Sequence, residues 1–236
     1  MMSADPPVGQ HQDRFHETLD QLEEDVQGVG VLVRTALARA TRGLVTDNLA
    51  LCGAVVAGDD EVDRRYLDIE RRVVDLLGRD APVASDLRLL TSILHINLHL
   101  ERIGDMAVNL ARFAQAVAGA PRSPKLVRHL EQMSDNAVWM VELAMRTFSD
   151  RDAQGCQRLP MLDNRVDELN RSLLAAVLVP GQPLDRLAWA LHMYDAARQL
   201  ERAADHAVGI AEQVWFLVTG ELQEFDSKAP APASAS

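Results

Sequence analysis

Lysine is almost absent from this chain. Only Lys125 and Lys228 occur among 24 basic residues, so arginine carries nearly all of the positive charge. Aromatic residues are scarce too, at 4 % of 236 residues. There are two cysteines, Cys52 and Cys156, too few for a disulfide framework and with no CxxC pair. They read as reduced, buried thiols. No run of about 18 uncharged apolar residues occurs, which excludes a membrane span. The opening MMSADPPVGQHQDRF has neither a basic segment nor an apolar core, so it does not read as a secretory signal. These features predict a cytoplasmic protein. Acidic residues outnumber basic ones 35 to 24, for a net charge of −11 at pH 7. That balance argues against a nucleic-acid phosphate track and suits cations or basic partner surfaces. A Gly-rich phosphate loop, a GxSxG elbow and a paired Cys/His site are all missing. The chain is therefore predicted to bind rather than catalyse.

What is present is helical periodicity. Phe15, Leu19, Leu22, Val26 and Val29 step by four and three, one apolar stripe on a helix. This spacing predicts a first helix over about His11 to Gly43. A short helix over Thr46 to Ala57 should stop at Gly58, with Asp59 capping a new helix to Leu77. Pro82 fits the first turn of the next helix, which runs to about Val117. GAPRSP, from Gly119 to Pro124, is the strongest break in the middle of the chain. The second half repeats the plan, with helices over Lys125–Phe148, Pro160 to before Pro180, and Leu184–Thr219. A short turn around Cys156 and the GQP turn from Gly181 to Pro183 separate them, and Gly220 closes the last helix. Residues 11–119 and 124–222 are thus predicted to form two units, with 1–10 and the low-complexity 226–236 disordered.

The repeat is visible in residues. Glu101-Arg-Ile-Gly-Asp-Met-Ala-Val-Asn-Leu-Ala111 recurs as Glu201-Arg-Ala-Ala-Asp-His-Ala-Val-Gly-Ile-Ala211, with six of eleven positions identical at an offset of 100. Asp59, Val62 and Asp63 recur as Asp163, Val166 and Asp167 at an offset of 104. The fold class that follows is all-α, two tandem three-helix bundles related by an internal repeat.

Acidic pairs four residues apart need discounting, because this composition supplies roughly five by chance and the chain has seven. The pairs 13/17, 20/24 and 131/135 read as solvated faces. Duplication in register distinguishes Asp59/Asp63, Glu101/Asp105, Asp163/Asp167 and Glu201/Asp205. Like charges at this spacing repel by a few tenths of a kcal/mol on one helix face. A cation between them offsets that cost, and clustered carboxylates suit Mg, Ca, Mn or carboxylate-bridged iron. Arg102 and Arg202 are expected to point elsewhere, since adjacent helical residues do not share a face. In the first copy the polar stripe extends over Asn97, Glu101, Asp105 and Asn109; the second, Ala197, Glu201, Asp205 and Gly209, is poorer. An exposed polar stripe with arginine ion pairs is the competing explanation.

ERIGDMAVNLA, together with ERAADHAVGIAEQVWFLVTGE at 201–221, resembles the signature helices of the PhoU family of phosphate-transport accessory regulators. The resemblance extends over about residues 11 to 225. It implies tandem three-helix bundles in a cytoplasmic protein that is often a homodimer. It implies divalent metal or a multinuclear iron cluster at Glu101, Asp105 and Asn109, and at Glu201 and Asp205. Asp59, Asp63, Asp163 and Asp167 would join from neighbouring helices. It also implies negative regulation of the phosphate-starvation response, with a sensor histidine kinase and the phosphate ABC transporter as partners. The sequence departs from the family pattern at Ala204, usually Gly, and Gly209, usually Asn.

Other residues weigh less. His95 and His99 could ligate a transition metal at i,i+4, but lie about 200° round the helix from Glu101 and Asp105. His206 faces away from Asp205. The apolar run Val214 to Val218 reads as a core-facing helix end or a docking surface. The alternative function is a carboxylate-bridged iron-binding helical protein, a ferritin-like oxidase or storage protein. That class needs Glu-xx-His pairs, and no Glu here has a His three residues later. A purely structural helical protein is the remaining alternative.

Overall fold

The computed structural model describes residues 8–79, 82–178 and 183–225. The predictions for 1–7, 226–236 and the 181–182 part of the GQP turn lie outside them. Seven helices occur among these residues: α1 (Val8–Thr46), α2 (Leu49–Arg79), α3 (Ala84–Ala116), α4 (Pro124–Asp150), α5 (Ala153–Cys156), α6 (Leu159–Val177) and α7 (Leu184–Thr219). No strand is found among them.

Helix formation follows the apolar stripes. Phe15, Leu19, Leu22, Val26, Val29, Val33 and Leu37 are all buried along one side of α1. Full burial of each such side chain contributes about 1.5–3 kcal/mol. That stripe carries α1 through Gly28 and Gly30, each of which costs only about 1 kcal/mol relative to alanine. Residues 8–10, predicted to be loose, form the first turn of α1. The turn to α2 uses Asp47 at φ 60°, and the Asn48 carboxamide then accepts a hydrogen bond from Leu51 N at 3.0 Å.

The predicted break at Gly58 does not occur. The helix α2 runs on to Arg79, and Asp59 sits in its interior. Buried Cys52, Val55, Val62, Ile69, Val73 and Leu76 form one stripe across Gly58, so packing outweighs the local stop signal. Pro82 also lies just ahead of α3 instead of in its first turn. Asp152 caps the short α5, its side chain accepting from Gly155 N at 2.9 Å. Both cysteines are free and buried, and burial pushes the Cys156 thiol up to about 11. Gly220, at φ 77°, closes α7 in the left-handed conformation that glycine alone adopts without strain.

Two three-helix groups result, α1–α2–α3 and α4–α6–α7, with α5 packed on α4 and α7. They share one continuous core, because α1 also packs on α4 and α3 on α7. Ion pairs Arg34–Glu142 and Arg151–Glu23 hold α1 to α4.

Along α3–α7 the contacts pair up across the repeat. Ser92 donates to the Gln213 carbonyl at 3.3 Å, and the counterparts of those residues, His192 and Phe113, stack at 6.0 Å. Asn109 donates to Gln199 Oε1 at 3.5 Å. Their counterparts, Gly209 and His99, are likewise in contact. The two helices are antiparallel, and the halves meet about a pseudo-twofold axis between them.

Candidate functional site: two acidic faces

In the first half, α2 brings Asp59 and Asp63 against Glu101 and Asp105 of α3. Gly104 lies beside this approach, with space for a methyl group in ordinary contact. A Cβ built there would stand 3.6 Å from Asp59 Oδ1 and 3.4 Å from buried Val62. The electrostatics record the crowding. Burial pushes the Asp59 carboxyl above the usual range; Asp63, Asp105 and Asp60 push it further, while Arg112 opposes them. Glu101 is raised by burial and then by Asp105, Asp63 and Asp59, with Arg102 opposing. Its Oε2 is buried and accepts no hydrogen bond.

Arg102 does not point elsewhere. Its Nε lies 3.3 Å from Glu101 Oε2 and its Nη1 donates to Asp105 Oδ2 at 3.1 Å. The i+1 argument treats a side chain as a short vector, whereas an arginine is long enough to fold back along its own helix. One guanidinium thus answers part of the repulsion among four carboxylates.

The ends of the predicted Asn97-to-Asn109 stripe serve other neighbours. Asn97 is fully buried and donates to the Tyr66 carbonyl at 3.0 Å, pinning α3 to α2 one turn before Glu101. The Asn109 amide turns to Gln199 of α7.

The second half repeats the face with different weights. Asp163 is buried in α6, and Asp167 pairs loosely with Arg171 at 3.8 Å. Glu201 is half-buried. Asp205 keeps an exposed edge, yet enough protein crowds its carboxyl to push it up to about 6. Glu201 and Asp167 add to that rise and Arg202 opposes it. The counterpart of Asn97 is Ala197, and the buried amide of this half is Asn170 on α6, the counterpart of Tyr66.

The donor set is right in kind for a hard cation, since carboxylates that raise one another's pKa are short of positive charge. The side chains as they stand are not closed around an ion. Among the described residues no three His, Cys, Asp or Glu side chains converge on a common point.

Two contacts escaped the sequence reading. His99 Nδ1 lies 2.9 Å from His206 Nδ1, between α3 and α7. The signal available was that both residues stand where the repeats differ, opposite Gln199 and Met106. Trp215, in the apolar run on α7, meets Phe225 edge-on at 5.9 Å, and Phe225 N donates to Glu212 Oε1 at 2.7 Å. The chain after α7 therefore folds back over part of the predicted docking surface.

The doubled acidic helices have a counterpart in known proteins. The PhoU domain matches this chain twice, over residues 26–114 and 127–214. The chain belongs to the PhoU family. Two relatives are each named phosphate-specific transport system accessory protein PhoU homolog. The one from Aquifex aeolicus is 33 % identical over 213 residues, covering 89 % of this chain and 95 % of its own. The one from Caulobacter vibrioides is 31 % identical over 218 residues, covering 92 % and 94 %. The crystal structure of PhoU from Pseudomonas aeruginosa superposes with a TM-score of 0.79 at 32 % identity, over 88 % of this chain and all of that one. PhoU-family members are accessory and regulatory proteins and not enzymes, and this chain is one of them. No helix among its described residues is long and apolar enough to cross a membrane.

Proposed function

We propose that this PhoU-family protein restrains the phosphate-starvation response when phosphate is plentiful. It acts in the cytoplasm as a homodimer, binding a sensor histidine kinase and components of the phosphate ABC transporter. The observation that carries the reading is the paired PhoU domain match together with duplicated acidic faces in register. An adaptor of this kind needs only a differential affinity for two kinase states; about 1.4 kcal/mol shifts their ratio tenfold. Metal belongs to the same proposal. Glu101 and Asp105 with Asp59 and Asp63 would hold a divalent cation or iron cluster in the first half, with Asn109 as a further oxygen donor. Glu201 and Asp205 with Asp163 and Asp167 would do so in the second. The metal would supply charge neutralisation, tying α2 to α3 and α6 to α7. The ferritin-like alternative calls for Glu-xx-His pairs, and no Glu in this chain has a His three residues later.

The test is a pull-down against the kinase cytoplasmic domain and the transporter ATPase, at low and high salt. Retention that weakens with salt fits basic partner patches meeting a chain of net charge −11. Retention that survives high salt and fails in Trp215→Ala locates the contact at the apolar end of α7. A deletion strain should express phosphate-regulated genes constitutively in phosphate-rich medium. Absence of binding to both partners would overturn the adaptor reading.

A further inference from the structure

Between the two halves, α3 and α7 bring two imidazoles together. The His99 and His206 rings lie 5.2 Å apart, tilted by 59°, with their Nδ1 atoms 2.9 Å from each other. The place is built for them. A Cβ on Gly209 would overlap the His99 ring, standing 2.7 Å from Nε2, so the glycine of α7 is what admits it. At the pseudo-symmetric place Asn109 donates to Gln199 Oε1 at 3.5 Å.

Metal–imidazole bonds of about 2.0–2.1 Å subtend an angle of about 90° at a metal shared by two nitrogens 2.9 Å apart. That is the angle of adjacent ligands in square-planar and octahedral complexes, and narrower than the tetrahedral one. Imidazole donors in that geometry favour late first-row dications, copper(II) and nickel(II) above zinc. Among the described residues no third His, Cys, Asp or Glu converges on the point, so the two imidazoles would be its ligands from that set. His95, one turn before His99 on α3, is exposed.

We propose that His99 and His206 form a two-histidine site for a late transition-metal dication, clamping the first half of the protein to the second. It differs in chemistry from the carboxylate faces, which take hard cations. In the free protein one ring donates its Nδ1 proton to the other. Binding requires that ring to move its proton to Nε2, so both Nδ1 lone pairs become available without net loss of a proton.

The experiment uses the full chain in excess magnesium, titrated with copper(II) and read by electron paramagnetic resonance and calorimetry. Wild type should bind one copper with nitrogen hyperfine structure from imidazole. His99→Gln, which restores the residue of the other repeat, and His206→Leu should each weaken that binding at least tenfold. Glu101→Gln with Asp105→Asn should leave it unchanged. Circular dichroism and the thermal midpoint verify folding of each variant, and copper should raise the midpoint of wild type alone. Copper affinity within threefold of wild type in both histidine variants would overturn the proposal, as would a spectrum with oxygen donors only.

Discussion

Asp59, Asp63, Glu101 and Asp105 crowd one side of the first half, and Asp163, Asp167, Glu201 and Asp205 take the equivalent places in the second. The two faces reach this arrangement with different neighbours. In the first, Arg102 ties Glu101 to Asp105, Asn97 locks α3 to α2, and Gly104 lies beside Asp59. In the second, Ala204 and Ala197 replace the small and polar partners, Asp163 is buried, and Asp205 carries the larger rise in pKa. The carboxylates recur while their supports change. Divergence has spared the charge and rewritten the packing around it, as expected if the charge is the functional element.

The glycine positions break the symmetry most sharply. Gly209→Ala places a methyl group against the His99 ring and should cost about 1–3 kcal/mol, the range for overpacking a tight interface. At Gly104 the added methyl meets only ordinary contacts, so Gly104→Ala should gain about 0.5–1 kcal/mol from helix propensity. Chemical denaturation of the two variants side by side reads both signs. Equal losses would mean that the α3–α7 contact does not depend on Gly209.

The acid dependence should differ between the halves next. A carboxyl whose folded pKa is raised binds its proton more tightly in the native state than in the unfolded one. Stability therefore falls as pH rises from the unfolded value, 3.8 for Asp205, through the folded value of about 6. Without metal, Asp205→Asn should be more stable than wild type at pH 7 and should flatten the slope between pH 4 and 6. Saturating divalent cation should flatten it in wild type as well. A steeper slope in Asp205→Asn would contradict the crowding.

Arg102 gives the smallest effect. Its ion pairs are half exposed, so Arg102→Ala should cost about 0.2–1 kcal/mol without metal. Competition between guanidinium and cation predicts that the variant binds divalent metal at the first face more tightly than wild type does. Calorimetry checks the pair of outcomes; weaker metal binding would make Arg102 a support of the site and not a rival for it.

Helix existence, the repeat and the acidic pairs were legible because each is written in local spacing. Gly58-Asp59 reads as stop and cap only if the window is short; the stripe from Cys52 through Val62 to Ile69 overrides it once α1 and α3 are in place. Arg102 was misjudged by considering its direction without its length. The His99–His206 contact and the return of Phe225 onto Trp215 depend on how the halves and the chain end pack, which no single-helix period encodes. Gly209 was the visible trace: a residue without a side chain, where its repeat has Asn, leaves space for something to enter.

The central claim, that the duplicated carboxylates hold cations, is tested most directly by manganese binding to wild type and to two double variants. These are Glu101→Gln with Asp105→Asn, and Glu201→Gln with Asp205→Asn. Each pair removes two negative charges and should leave the fold intact, since it relieves repulsion in the metal-free protein. Calorimetry with elemental analysis should show each variant losing the share of manganese that belongs to its own half and keeping the other. The same manganese content in wild type and both variants would contradict the account.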